Sequence, residues 1–425
     1  MINEEFLHYV WQYKAYDHRC LQLTNGDKID IINPGLHNQD AGPDFFNAKV
    51  RIGDTLWAGN VEIHIKSSMW YEHNHHKDSA YSNIILHVVA EHDKEVFRNN
   101  GEKIPVFEMK IPSGLYNNYE KLQASLNWIP CSDYINKMDS LTKICLLDTM
   151  AYERLEYKTN SIKKIFNETK CNWEETWFRT LISIMGLSLN KTPFQMLASQ
   201  TPYNILLQHS NNTCELEALL LGQSGLLNIA NKDTYVEKLK REYKHLKNKY
   251  SLQAIDPYLW KFARMRPVNF PDLRIAQLSA LISKHGSMLS KIICVKSYDD
   301  LKSFFDINIS NYWLTHYRLG NESKYKSKNI GNNMLNLLIV NAIAPFLFFY
   351  GLEHDDEDIK QFAHNIAKYL PKENNRIIRK WDESGLKAAN AFESQALLQL
   401  FHFYCSKRKC VSCTYGHKLL NSPKK

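Results

Sequence analysis

Two runs of alternating residues joined by a tight turn constrain this chain more than any other feature. Phe45 to Ile52 and Thr55 to Lys66 flank Gly53-Asp54, which reads as a hairpin turn. Strand side chains alternate between faces, so Val61, Ile63 and Ile65 share one side, and Glu62, His64 and Lys66 share the other. An acid, an imidazole and an amine on one strand face is unusual for a purely structural strand. His73, His75, His76 and His87 follow closely, which marks this stretch as the place for chemistry. Around the hairpin, residues 3–16 read as an amphipathic helix and Ile29 to Ile32 as a short strand. Ile84 to Ala90 is nearly all aliphatic and reads as a buried strand, and Val106 to Ile111 as a further one. Pro112-Ser113-Gly114 ends this pattern.

From about residue 115 the period changes to that of helices. MDSLTKICLLDTMAYERLEYKTNSIKKIF, TWFRTLISIMGLSL, TYVEKLKREYKHLKNKY and DLRIAQLSALISKH are the clearest cases, with prolines between them and no repeat period. The expected fold class is α+β. A mixed α/β domain over residues 1–114 (helix, strand meander, helix, strand) precedes an all-helical region, 115–400, and a cysteine-rich tail, 401–425.

Hydrophobic content of 44% and charged content of 23% are those of a globular protein. The net charge of +8 permits a polyanionic partner without requiring one. The N-terminal segment is acidic and then amphipathic, unlike an export signal. The apolar run Leu335 to Tyr350 is short and interrupted, so a buried helix is expected there and no membrane span. Nine irregularly spaced cysteines point to a reducing compartment, with cytoplasm as the expected location. No P-loop and no Gly-x-Gly-x-x-Gly occurs, which leaves nucleotide hydrolysis and dinucleotide redox chemistry without support.

Hydrolysis of a phosphodiester with a divalent ion needs carboxylates around the metal and a base or cation near the attacking water. Asp44 enters the first hairpin strand and Glu62 lies on the second, so the two carboxylates can meet around Mg2+ or Mn2+. His64 and Lys66 would then stand near the water. The ordinary alternative is that Asp44 caps a turn and Glu62 pairs with Lys66 in solvent, and that His87 is a hydrogen-bonded core histidine.

Pro43-Asp44 followed by Glu62-x-His64-x-Lys66 on a strand resembles the PD-(D/E)xK nuclease core, with His64 where that pattern has lysine. The resemblance implies a fold of helix, three-stranded meander, helix and strand, and an assisting acid from the first helix, Glu4 or Glu5 here. The broader run GPDF, GNVEIH, SSMWYEHNHH and ILHVV also resembles a bacterial family known only as a domain of unknown function. That likeness extends over almost the whole chain, including RMRPVNFP at Arg264 to Pro271 and the C-terminal cysteines. The segment from His73 to Asp78 superficially resembles the His-x-His-x-Asp-His of metallo-β-lactamase-type hydrolases, which would require His73, His75 and Asp78 to meet around one metal.

Cys405, Cys410 and Cys413 follow C-x4-C-x2-C, a spacing that can wrap one metal. It resembles part of a plant-type ferredoxin pattern, and certain PD-(D/E)xK exonucleases carry an iron–sulfur cluster on one distant and three C-terminal cysteines. Cys131 or Cys20 offers the fourth sulfur, and His417 a local alternative for Zn2+. Arg264, Arg266, Lys407 and Arg408 are candidate nucleic-acid contacts. The function expected from these residues is metal-dependent cleavage of nucleic acid, DNA favoured. The alternatives are a non-catalytic nucleic-acid-binding or scaffold protein and a histidine-rich metallohydrolase.

Overall fold

The computed structural model describes residues 2–19, 21–38, 40–228 and 233–422. The chain forms two compact units, Met1–Leu146 with Leu400–Lys425, and Leu147–Gln399. The N-terminal unit therefore reaches past residue 114, and the cysteine-rich tail is part of it rather than a separate domain.

The N-terminal unit begins with helix α1, Glu4–Gln12, whose start is capped by Asn3 accepting from the Phe6 N–H at 2.9 Å. The strands follow as β1 (Ile29–Asn33), β2 (Leu36–His37), β3 (Phe45–Ile52), β4 (Thr55–Lys66), β5 (Ile84–Glu91) and β6 (Val106–Glu108). Between β4 and β5 lie a short helix, α2 (Met69–Glu72), and two single 3-10 turns, His75–Lys77 and Ser79–Tyr81. The sheet order is β1-β3-β4-β5-β6, with β2 beside β3. β1, β3 and β4 form an antiparallel meander, whereas β4–β5 and β5–β6 are parallel.

Parallel neighbours need a crossover, so the segment between β4 and β5 must return over the sheet, carrying its histidines across the face of β4. Gly59 makes the close approach of the two strands possible. A Cβ there would lie 2.4 Å from Ile85 and 2.8 Å from the Asn83 carbonyl, so any larger residue would push β5 away. On one side of the sheet, Phe6, Val10 and Trp11 of α1 pack with Val61, Ile63 and Val88, and with Leu115 and Tyr119 of helix α3 (Ser113–Ala124). Cys410, Val411 and Leu420 of the tail belong to this same core. A smaller cluster of Trp70, Ile84, Val89, Val96, Ile104 and Val106 fills the other side.

The second unit is built from helices, among them Trp173–Met185, Thr213–Gln223, Thr234–Tyr250 and Pro271–His285. It is not purely helical, because His316–Arg318 and Asn321–Glu322 form a small antiparallel ribbon. One helical stretch among the described residues, Asn332–Glu353, is long and apolar enough to cross a membrane, and it is mostly buried. Pro345 lies within it, and the ladder widens to a π turn over Ile339–Ile343 just before that residue. A proline lacks the N–H of the regular ladder, and a π turn is one way to absorb that loss.

Candidate metal centre

β4 supplies two buried polar side chains at alternate positions, Glu62 and His64, 4% and 1% exposed. Asp44 stands where β3 begins, beside a β-bulge marked by Asn47 in the left-handed region at φ 56°. β3 stops pairing at Phe45–Val61, and the Asp44 side chain continues the pairing in its place. Its carboxylate accepts the Ile63 N–H at 2.9 Å, while the Asp44 N–H donates to Glu62 Oε2 at 3.2 Å. The two acids are thus neighbours, linked through the Asp44 backbone N–H.

The crossover brings the histidines to the same place. Asn74, left-handed at φ 62°, reverses the chain between His73 and His75. The segment is anchored by Asp93, which accepts from the Ser68 N–H and Oγ, each at 2.8 Å, and by the buried Trp70, whose indole donates to the Phe97 carbonyl. His75 Nε2 then lies 3.2 Å from Glu62 Oε1, His64 Nε2 lies 3.6 Å from the same oxygen, and His64 Nε2 lies 3.1 Å from His73 Nδ1. Ligand atoms of His64, His73 and His75 fall within 4.8 Å of one another. Donors held about 2.1 Å from one ion are roughly 3.0 Å apart in an octahedron and about 3.4 Å apart in a tetrahedron. The three separations of 3.1, 3.2 and 3.6 Å match the edges of such a polyhedron.

The electrostatics point the same way. Burial raises Glu62 above the ordinary carboxyl range, with nearby Asp44 also raising it, His75 opposing. Burial pushes His64 down to about 2 and His87 to about 3, so both imidazoles are neutral. Glu62 is buried beside the neutral His64, and a bound divalent ion would give its carboxylate a counter-charge. Two polar atoms here, Glu4 Oε1 and His87 Nδ1, are buried without a hydrogen-bond partner. His87 stands behind His64, with 2.8 Å between His87 Nε2 and His64 Nδ1. A metal-binding imidazole commonly passes its other N–H to such a partner, which leaves His64 Nε2 as the ligand.

Other expected residues are elsewhere. Lys66 ends β4, half exposed, with its ammonium 3.1 Å from Glu91 on the parallel neighbour, so it does not reach the cluster. Asp78 is exposed and caps the second 3-10 turn through the Ala80 N–H, so His73, His75 and Asp78 do not form a ligand set. Glu5 accepts from Ser412 Oγ at 3.2 Å and so faces the tail. The first-helix acid near the cluster is Glu4, whose charged neighbours are His73, Asp44, His8 and His75. Sequence reasoning missed His8, 3.3 Å from Asp44, and Tyr81, stacked on His75 at 3.8 Å between ring centres. Glu4 and His8 are four residues apart on an amphipathic helix, a spacing that puts them on one face and could have revealed the pair.

A second cluster lies in the same unit. Cys131, Cys405, Cys410 and Cys413 are electrostatic neighbours of one another, and no disulfide joins the described cysteines. Burial pushes the Cys131 and Cys410 thiols up to about 12, and nearby thiols add to the rise. Gly416 lets the helix Thr414–Leu420 close on this segment, since a Cβ there would overlap the Cys410 carbonyl at 1.9 Å. His417, the alternative ligand, has its Nε2 bonded to the Val411 carbonyl instead. Cys20 lies outside the described residues.

Of the basic candidates, Arg408 is committed to structure. Its guanidinium donates to the carbonyls of Gln123 at 2.7 Å and Ser125 at 2.6 Å, which closes the C-terminal end of α3. Lys407, Arg264 and Arg266 are exposed.

Comparison with known proteins yields no match among curated sequences and none among solved structures. A family model described as a protein of unknown function, DUF2851, matches residues 4–376. It takes in the whole histidine–carboxylate cluster and Cys131, and it stops short of Cys405, Cys410 and Cys413. The chain belongs to the DUF2851 family.

Proposed function

We propose that this protein is a metal-dependent hydrolase of the nuclease type, acting on phosphodiester bonds of nucleic acid, with DNA favoured. The observation that carries the reading is the meeting of Glu62 with His64, His73 and His75, ligand atoms 3.1, 3.2 and 3.6 Å apart, with the Asp44 backbone bonded to Glu62 beside them. Glu62 and the three histidines would hold the ion, with Asp44 beside them. Three nitrogen donors suit Mn2+ or Zn2+ better than Mg2+, which favours oxygen. Such an ion, when bound, polarises a phosphoryl oxygen and acidifies a bound water. The chain's own residues do the rest. Asp44 orients His8, 3.3 Å away, to take up or return a proton. Tyr81 fixes the ring plane of His75, and His87 fixes that of His64. Exposed Lys407, Arg264 and Arg266 are proposed phosphate contacts.

The four cysteines are proposed to hold a structural zinc ion or an iron–sulfur cluster. Elemental analysis with a visible spectrum separates the two, since zinc is colourless. A Cys131→Ser protein retaining full metal at the tail would rule out Cys131 as a ligand.

The direct assay incubates metal-stripped protein with Mn2+, Zn2+ or Mg2+ and labelled single- or double-stranded DNA, or RNA. Cleavage that needs metal and Glu62 supports the proposal, and equal cleavage by Glu62→Ala overturns it. One observation favours a second reading, a nucleic-acid-binding protein without catalysis. Lys66 is held by Glu91, so no lysine side chain is placed at the cluster by that strand. Salt-sensitive DNA binding with no metal-dependent cleavage would establish that reading.

A further inference from the structure

The helical unit holds a cavity of about 580 Å³ that the histidine centre does not explain. Its size is that of a small-ligand site. The motif Arg264–Pro271 forms one part of its wall and the first turns of the helix Pro271–His285 another. Arg266, Arg274, Lys326 and Lys328 line it, and no Asp or Glu does among the described residues.

Two of these cations are buried. Arg274, 4% exposed, donates from Nη1 to the Gln277 amide oxygen at 2.8 Å and from Nη2 to Asn269 Oδ1 at 2.6 Å. Both partners are neutral, and Arg274 Nε is buried with no hydrogen-bond partner. Lys328, also 4% exposed, donates to the carbonyls of Trp313 at 2.8 Å and Leu314 at 2.7 Å, with its ammonium 4.4 Å from the centre of the Tyr317 ring. Gln277 ties the two together, since its amide donates to the Lys328 carbonyl at 2.6 Å. Burial pushes Arg274 down to about 10, and no carboxylate opposes that fall. A buried guanidinium held only by neutral amides is costly unless an anion completes the site.

The rim adds the exposed cations Arg266 and Lys326, while Tyr317, Leu273 and Leu337 provide apolar wall. Four cations around one cavity suit a dianion, and the apolar wall suits an organic body attached to it. We propose that this cavity binds a small organic phosphate of mononucleotide size, with its phosphate on Arg274 and Lys328 and held at the rim by Arg266 and Lys326. The cavity is lined by residues of the helical unit, and the histidine centre by residues of the other.

The test titrates adenosine monophosphate into the full-length protein by calorimetry, with thermal melting in parallel. Inorganic phosphate, succinate and a 5′-phosphorylated oligonucleotide serve as comparison ligands. Adenosine monophosphate is expected to bind and raise Tm, with phosphate and succinate at least tenfold weaker. Arg274→Gln removes the buried charge and is expected to abolish binding. Because that change can disturb folding, the exposed double variant Arg266→Ala/Lys326→Ala is the second arm, expected to weaken binding about tenfold at unchanged Tm of the free protein. Undiminished binding by the double variant, no binding by the nucleotide, or equal binding of phosphate or succinate would each overturn the proposal. Binding of the oligonucleotide alone would overturn it too, in favour of a nucleic-acid groove.

Discussion

Two buried glutamates, one in each unit, show what burial does and does not signify. Glu62 is 4% exposed and Glu217 is fully buried, and burial raises both above the ordinary carboxyl range. Their partners differ in kind. Glu217 accepts from the Trp313 indole and the Tyr235 hydroxyl, each at 2.8 Å and both on Oε2, neutral donors with no histidine, cysteine or second acid among them. Glu62 faces His75, His64 and the Asp44 backbone, among imidazoles with lone pairs to offer. A perturbed buried acid is therefore a sign of function only when its neighbours can do chemistry.

The largest expected effect separates these two acids. Glu62→Ala should reduce bound metal to background and lower any metal-dependent cleavage by at least about 100-fold, more than the ~10–100-fold typical of outer partners. Glu217→Gln should leave both intact and stabilise the protein near neutral pH, because it keeps the acceptor and removes the charge. Metal loss from a folded Glu217→Gln protein would break the comparison.

A smaller loss is expected one layer out. His87→Phe preserves bulk but removes the acceptor behind His64, so metal affinity should fall by about 10–100-fold in a chelator competition. An unchanged affinity would show that His64 needs no such support.

Asp272 sharpens the stability side. Burial raises it from 3.8 to about 6; its carboxylate accepts the Leu319 N–H at 3.1 Å, while Oδ2 is buried without a partner. The folded state thus holds the proton more tightly than the unfolded chain. That contribution is full below pH ~4 and is lost as pH rises through about 6, on the order of 3 kcal/mol in all. Asp272→Asn should flatten this part of the stability profile measured by denaturant melts. A profile identical to that of the unaltered protein would refute the assignment.

The smallest effect is expected at Lys66. Its ammonium pairs with Glu91 near solvent, and such pairs contribute little. Lys66→Ala should leave metal content and cleavage within about twofold. A large loss would mean that the lysine moves to the cluster when substrate binds.

Much of the site was legible because alternation is local. Glu62 and His64 follow from the period of one strand, and Asp44 from the turn-rich entry to its partner. Lys66 was misplaced because alternation gives the face of a strand and not its end. At the last pair of the β4–β5 register, Lys66 meets Glu91 instead of the cluster. Sequence offered Glu4 or Glu5 as the first-helix acid, and helix phase separates them, since one residue turns a side chain by about 100°. The C-terminal cysteines gave their own spacing, but the inclusion of Cys410 in the α1 core joins residues some 400 positions apart.

The sequence by itself determined the local elements, the change from alternating to helical period, and the kinds of donor atom available. Tertiary structure alone decided which donors meet. The parallel pairing of β4 with β5 folds the histidine segment over Glu62, and the packing of the tail against α1 and α3 brings Cys410 toward Cys131. The physical reason is that periodicity reflects interactions a few residues apart. A metal polyhedron needs atoms from distant segments within about 3 Å of one another, and only the register of the sheet and the packing of its faces set that distance.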